Sequence, residues 1–156
     1  MAFYEVFDYS QFLFEIGQTI FDFDREEFKE SLLEEIESGS ANLLVIDRLE
    51  LLPQWRHKGI GKKIIKDMIL RFSGCCDLIV LKAFPLQKEA ANSDTNISEW
   101  RKKMQMDILP GDEEFSFLKV YSYYQKIGFE RYEDSDYFYL NPALINEKFD
   151  AIDIEE

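Results

Sequence analysis

Residues 56–61, Arg-His-Lys-Gly-Ile-Gly, are the stretch whose types and spacing could do chemistry. They follow an apolar run that stops at Pro53, and they open a segment with helical periodicity. Two glycines let an anion approach the backbone closely, and a helix start offers unpaired N–H groups and a favourable dipole. The chemistry that suits such a loop is phosphate binding. Arg56, Lys58, Lys62, Lys63 and Lys66 add five positive charges within eleven residues, with no acid among them, in a chain whose formal charge is −13. A cluster of this kind either meets an anion or is a solvated helix face, and charge alone does not choose. A Walker loop is excluded, because Arg56 stands where its first glycine belongs and Lys63 where Ser or Thr belongs. A dinucleotide fingerprint fails too, since Ile64 holds the third glycine position and no alternation of strands and helices precedes it.

Other chemistries are limited by composition. His57 is the one histidine, and Cys75 and Cys76 are adjacent, so a Cys/His metal site has too few ligands and no metal is expected. Adjacent cysteines rarely meet disulfide geometry, which points to reduced thiols and a cytoplasmic protein. The strong negative charge argues against nucleic acid as a partner. No run of roughly 20 apolar residues and no signal-like N-terminus is present, so neither a membrane span nor secretion is expected.

The elements that must position the loop follow from periodicity. A length of 156 residues with 46% hydrophobic content suits one domain, taken as residues 1–149 with an acidic tail over 150–156 that frays. Ala2–Phe7 reads as a short strand, and Ser10 as the N-cap of a helix carrying Phe12, Leu13, Ile16 and Ile20. The spacing of Phe28, Leu32, Leu33 and Ile36 predicts a second helix over Glu26–Glu37, ended by Gly39. Asn42–Leu52 reads as a long strand buried over its first half and stopped by Pro53. Gly59–Phe72 is an amphipathic helix, and Asp77–Phe84 the next strand, giving a parallel crossover. A long connection over Gln87–Gly111 carries a short helix around Trp100–Met106. Asp112 caps a last helix with Phe115, Leu118, Tyr121, Tyr124 and Ile127 inward and Ser116, Lys119, Ser122 and Lys126 outward, closed by Gly128. Phe129–Tyr132 and Tyr137–Leu140 form a hairpin or a pair of edge strands. The fold class is mixed α/β.

The loop resembles the pyrophosphate loop of the GNAT superfamily of N-acetyltransferases, whose pattern is Gln or Arg, two variable residues, Gly, one variable residue, then Gly or Ala. Here that is Arg56-His57-Lys58-Gly59-Ile60-Gly61, preceded by the family's strand phrase as Leu49-x-Leu51-x-Pro53-x-Trp55. A second match, Tyr123-Tyr124-Gln125-Lys126-Ile127-Gly128-Phe129, is similar to the close of the family's last helix. The resemblance spans roughly residues 42–140. It implies a GNAT-like acyl-CoA N-acyltransferase fold with a shortened N-terminal part, and acetyl-CoA (coenzyme A) as cofactor. By the same resemblance, Leu51 and Leu52 offer backbone groups to the pantetheine arm, and the backbone of Arg56, His57, Lys58, Gly59, Ile60, Gly61 and Lys62 cradles the pyrophosphate. Tyr124 matches the tyrosine that protonates the leaving thiolate, or else is a core aromatic.

Transfer to an amine requires that the nucleophile lose a proton, so an acid should lie near the reacting carbonyl. Asp47 and Glu50 are nearest in sequence, and Asp47 is preferred because it shares a face with Leu49 and Leu51; alternatively it pairs with Arg48 or caps a neighbour. Two positions depart from the family pattern. Phe117 replaces an Asn that contacts the cofactor, and only about 40 residues precede the central strand. The reading is therefore an N-acetyltransferase acting on a cationic small-molecule or peptide amine, with a homodimer left open. The alternatives are a non-catalytic acyl-CoA binding or regulatory module, and an acidic interaction domain.

Overall fold

The structure, a computed structural model, describes residues 7, 9–33, 36, 42–88, 95–109 and 111–154. The strand expected over Ala2–Phe7 lies outside them except for Phe7, a buried residue in helical conformation. Helix α1 (Gln11–Ile20) starts where the sequence says it should: the Ser10 hydroxyl accepts from the Leu13 amide at 3.2 Å. Its apolar side buries Ile16 and Ile20, and Gly17 leaves room for the rings of Phe7 and Phe23.

The helix expected from Glu26 is instead a hairpin followed by a single turn. Strands β1 (Phe21–Asp22) and β2 (Glu27–Phe28) pair antiparallel, and helix α2 begins only at Glu30 and is described over Glu30–Leu33. Local chemistry explains the difference. The Asp22 carboxylate accepts from the amides of Asp24 and Arg25, and Glu26 takes a left-handed φ of 57°, which together turn the chain before any helix can begin. Phe21 then meets Phe28 edge-on across the pair, with centroids 5.9 Å apart. Residues 37–41, where Gly39 was to end the helix, are outside the described residues.

The main sheet has four strands in the order β3-β4-β6-β5, namely β3 (Leu43–Ile46), β4 (Leu78–Lys82), β5 (Glu130–Arg131) and β6 (Tyr137–Leu140). β3 and β4 are parallel, joined through helix α3 (Ile60–Phe72), and the last two strands form the expected antiparallel hairpin. β4 also pairs antiparallel with β6. Its side chains alternate between two cores. Leu78 and Val80 face Ile16, Ile20, Phe21 and Phe28, whereas Ile79 and Leu81 face Ile65 and Ile69 of α3, Ile127 and Phe129. The connection after β4 carries α4 (Thr95–Lys103) and a 3-10 turn (Met106–Ile108), and leads into α5 (Glu113–Ile127).

Asp112 caps α5 as expected, accepting from the Phe115 amide at 2.7 Å, but the helix is rotated from the predicted face. Ser116 is buried, and Phe115 and Leu118 are half exposed. At 100° per residue Leu118 lies about 180° around the helix from Ile127, so both cannot face the sheet. Ser116, Phe117, Val120, Tyr121, Tyr124 and Ile127 share the buried side, and the Ser116 hydroxyl bonds back to the Asp112 carbonyl. Where the sequence suggests a frayed tail, helix α6 (Glu147–Asp150) buries Phe149, and Ile152 is buried beyond it. Lys66 of α3 donates to the carbonyls of Asp150 and Ile152.

The joint between α5 and α6 gives a direct test. Gly128 has φ 115°, and the Asn146 amide donates to its carbonyl at 2.8 Å while the Asn146 carbonyl oxygen caps the Phe149 amide. A Cβ at Gly128 would stand 2.5 Å from that oxygen. Gly128→Ala should cost roughly 2–3 kcal/mol, from left-handed strain plus loss of the cap, read as a lowered urea midpoint.

Candidate functional site

The two parallel strands stay paired only as far as Ile46 and Leu81. β4 continues to Lys82 by pairing with β6, while residues 47–52 leave the sheet. The expected strand over Asn42–Leu52 is thus a paired strand of four residues followed by a run, 47–52, that pairs with no strand. The gap between the parting chains is a cleft of about 260 Å³. Asp47, Glu50 and Leu51 line one wall, Lys82 and Phe84 the other, and α5 contributes Val120, Tyr123 and Tyr124. Met104 and Met106 close it from the connection after β4. The Leu51 carbonyl accepts from Arg56 and the Leu52 carbonyl from Trp55, and the amides of Leu51 and Leu52 are left for a polar, extended ligand.

From this run the chain enters the glycine loop. Pro53–Trp55 form a 3-10 turn, His57 and Gly59 both take left-handed backbone, with φ 59° and 75°, and α3 begins at Ile60. The first helical amides at Ile60, Gly61 and Lys62 have no partner within the helix. A Cβ at Gly59 would meet only the Lys62 stem, at 3.4 Å, so the space beside it is nearly open. Gly61 differs: its missing Cβ makes room for the Tyr123 hydroxyl, which would lie 2.5 Å from it. One glycine therefore borders open space and the other serves helix packing.

The basic cluster divides in the same way. The Arg56 guanidinium donates to the carbonyls of Leu51 (2.9 Å) and Met104 (2.6 Å), tying the loop to the wall that closes the cleft. Lys66 is committed to the C-terminal segment, and Lys58 lies over the Trp55 ring at 5.3 Å. Lys58 and Lys62 remain exposed beside the start of α3.

Of the sequence-predicted residues, Tyr124, Asp47, Glu50, Leu51 and Arg56 come together at the cleft. Leu52, His57, Lys58, Gly59, Ile60, Gly61 and Lys62 lie outside its lining, along the turn and helix start. Burial, with the neighbouring Tyr123 adding to it, pushes the Tyr124 hydroxyl up to about 12, and burial raises that of Tyr123 as well. Tyr124 is held edge-on to Tyr123 and Phe129, at 5.3 and 5.9 Å. The Glu50 carboxylate is engaged: it accepts from Arg48 at 2.6 Å and from the Trp100 indole. Arg48 thus pairs with Glu50 rather than Asp47, and Asp47 makes no hydrogen bond or ion pair among the described residues. Phe117, at the departed Asn position, is edge-on to both Phe84 and Tyr121.

Lys82 was missed by sequence reasoning, although a charge closing the apolar run Leu78–Leu81 was the available signal. It is ion-paired at 2.9 Å with Glu15 of α1. Burial opposes its charge, yet the Glu15 bond leaves the ammonium above the ordinary lysine value, and that same bond lowers the Glu15 carboxyl. Met104, Met106 and Tyr123 were also missed; nothing local marks them as cleft residues. Among the described residues no group of three or more His, Cys, Asp or Glu could hold a metal, and no helix is long and apolar enough to cross a membrane. Compared with known proteins, the chain matches no family model, no curated protein and no solved structure. What is established is a mixed α/β protein with a four-stranded sheet, a two-stranded sheet and a cleft where parallel strands part.

Two measurements check this geometry. Gly61→Ala should destabilise the protein, and much less so in a Tyr123→Phe background, giving a coupling of roughly 0.5–3 kcal/mol in a double-mutant cycle. For Tyr124, an unfolded tyrosine loses its proton near pH 10 and the folded one near 12, so the folded state binds more protons between them. Stability is therefore full below pH 10 and falls as pH rises towards 12. The fall from this residue should be roughly 3 kcal/mol, and Tyr124→Phe should flatten it in denaturation series across that range.

Proposed function

We propose that this protein is an acyl-CoA-dependent N-acyltransferase of the GNAT kind, moving an acetyl group from acetyl-CoA to a primary amine. The observation that carries the reading is a continuity: the unpaired run 47–52 leads directly from the cleft into a left-handed turn and a free helix start. An extended thioester arm with a phosphate at its far end needs backbone partners along a cleft and unpaired amides at one end. The amides of Leu51 and Leu52 would hold the arm, their carbonyls being taken by Arg56 and Trp55, and the amides from His57 to Lys62 the pyrophosphate, since the Arg56 amide is bonded to the Pro53 carbonyl. The open space beside Gly59 suits the phosphate, with Lys58 and Lys62 exposed nearby. The Gly61 side is taken by Tyr123, and the Arg56 side chain acts as a strut rather than a phosphate ligand.

Acetyl-CoA, when bound, supplies an acyl group activated as a thioester. The protein's residues supply proton handling. Tyr124 keeps its proton at every physiological pH and is the proton donor at the cleft. Asp47 is the carboxylate with uncommitted oxygens, which suits it to hold an ammonium group and pass its proton to water. Glu50, bonded to Arg48 and Trp100, instead fixes the connection after β4 across the cleft. A non-catalytic acyl-CoA binding module is the second reading, favoured by Phe117 in place of the cofactor-contacting Asn.

Calorimetric titration with acetyl-CoA tests the first step. Saturable one-to-one binding is expected, weakened by dephospho analogues and by Lys58→Glu with Lys62→Glu. No binding at millimolar cofactor would overturn the proposal. Thiol release with amine acceptors should drop about 10²- to 10⁴-fold in Tyr124→Phe while cofactor binding persists; absence of turnover in the wild type with intact binding would select the non-catalytic module.

A further inference from the structure

A second cleft of about 250 Å³ lies beside the first, lined by Phe12, Asp47, Arg48, Lys82, Phe84 and Leu86. Five of these six, all but Phe12, also line the first cleft. The two spaces therefore adjoin at the point where β3 and β4 part, and a ligand in one would lie beside a ligand in the other. We propose that this second cleft binds a small primary amine carried on a short aromatic stem, a role as acceptor site that rests on the transfer reading above.

The shared lining looks cationic by composition but is not so in effect. Lys82 is paired with Glu15 at 2.9 Å and Arg48 with Glu50 at 2.6 Å. Three carboxylates, those of Glu15, Asp47 and Glu50, thus stand against two cations, and Asp47 carries the negative charge without an ion pair among the described residues. Asp47 is exposed and lines both clefts. An ammonium group near it would be within reach of either space.

The remaining surface is apolar, made of Leu86 and two rings. Phe12 belongs to α1 and Phe84 to the chain just past β4, where the Phe117 ring holds it edge-on at 5.6 Å. Ring walls beside a lone carboxylate suit an aromatic body with a cationic end, through stacking and cation–π attraction. Volume narrows the class further. A cleft of about 250 Å³, just under the roughly 300–1,000 Å³ of pockets that enclose drug-sized ligands, has room for a single ring on a two- or three-atom chain.

The test uses phenethylamine as probe, with 2-phenylethanol and phenylacetate as neutral and anionic counterparts, followed by amide shifts in 15N-labelled full chain. Phenethylamine should saturate with shifts at Phe12, Asp47 and Phe84, and bind at least about tenfold more tightly than either counterpart. Asp47→Asn should remove most of that preference. Phe12→Leu, which keeps a large apolar side chain on α1, should weaken the amine severalfold without changing coenzyme A calorimetry. Coenzyme A binding with no amine binding, or with the alcohol or acid bound equally well, would overturn the inference and leave the transfer reading intact. Amine binding without coenzyme A binding would overturn the acceptor role together with that reading.

Discussion

β4 is hydrogen-bonded on both sides and buried on both faces, and its two ladders end at different residues. On the β3 side pairing stops at Leu81, and on the β6 side it reaches Lys82. One strand thus remains anchored while its parallel neighbour leaves, and residues 47–52 are left beside a gap with no strand to pair with. The cleft, the position of Asp47 and the path into the glycine loop all depend on that one-residue offset. Four consecutive side chains of β4 with essentially no exposure make the strand a poor place to yield, so the departure falls on residues 47–52.

What holds the gap open is a set of polar contacts at its margins. Arg56 bridges the Leu51 and Met104 carbonyls, Glu50 links Arg48 to Trp100, and Glu15 anchors Lys82 to α1. Each uses a charged or polar group against a partner from a different part of the chain, apart from the local Arg48 to Glu50 and Arg56 to Leu51 contacts. Such contacts contribute less net stability than apolar burial, but they set direction, because an unpaired charge at a half-buried position is costly. Met104 and Met106 of the connection after β4 are thereby fixed as part of the cleft.

The N-terminal segment has a similar dual role. Through Phe7, Ile16, Ile20, Phe21 and Phe28 it covers the face of the sheet opposite α3 and α5, and through Phe12 and Glu15 it reaches the edge of the cleft. Two cores share β4 because its side chains alternate, so the same strand that opens the cleft also joins the two layers.

By itself the sequence determined the elements whose signals are local: the Ser10 and Asp112 caps, the apolar stripe of α3, the continuous apolar run of β4, the Gly128 stop and the closing hairpin. These depend on side chains bonding their own backbone or on a period read within a single segment. It also placed Asp47, Glu50, Leu51 and Arg56 near one another, because strand and loop are consecutive, whereas Tyr124, on the later helix α5, was joined to them only through the family resemblance. Only the tertiary structure decided the rest. The Asp22 turn and the Phe21 to Phe28 contact defeated a helical pattern over Glu26–Glu37 that was locally sound. The rotation of α5 followed from which residues met the sheet, and a stripe with extra apolar positions does not specify that. Likewise the partition of the basic cluster into struts and exposed lysines, the use of Gly61 for the Tyr123 hydroxyl, and the pairing of Lys82 with Glu15 join residues far apart in the chain. No window of sequence contains both partners, so only packing could choose them.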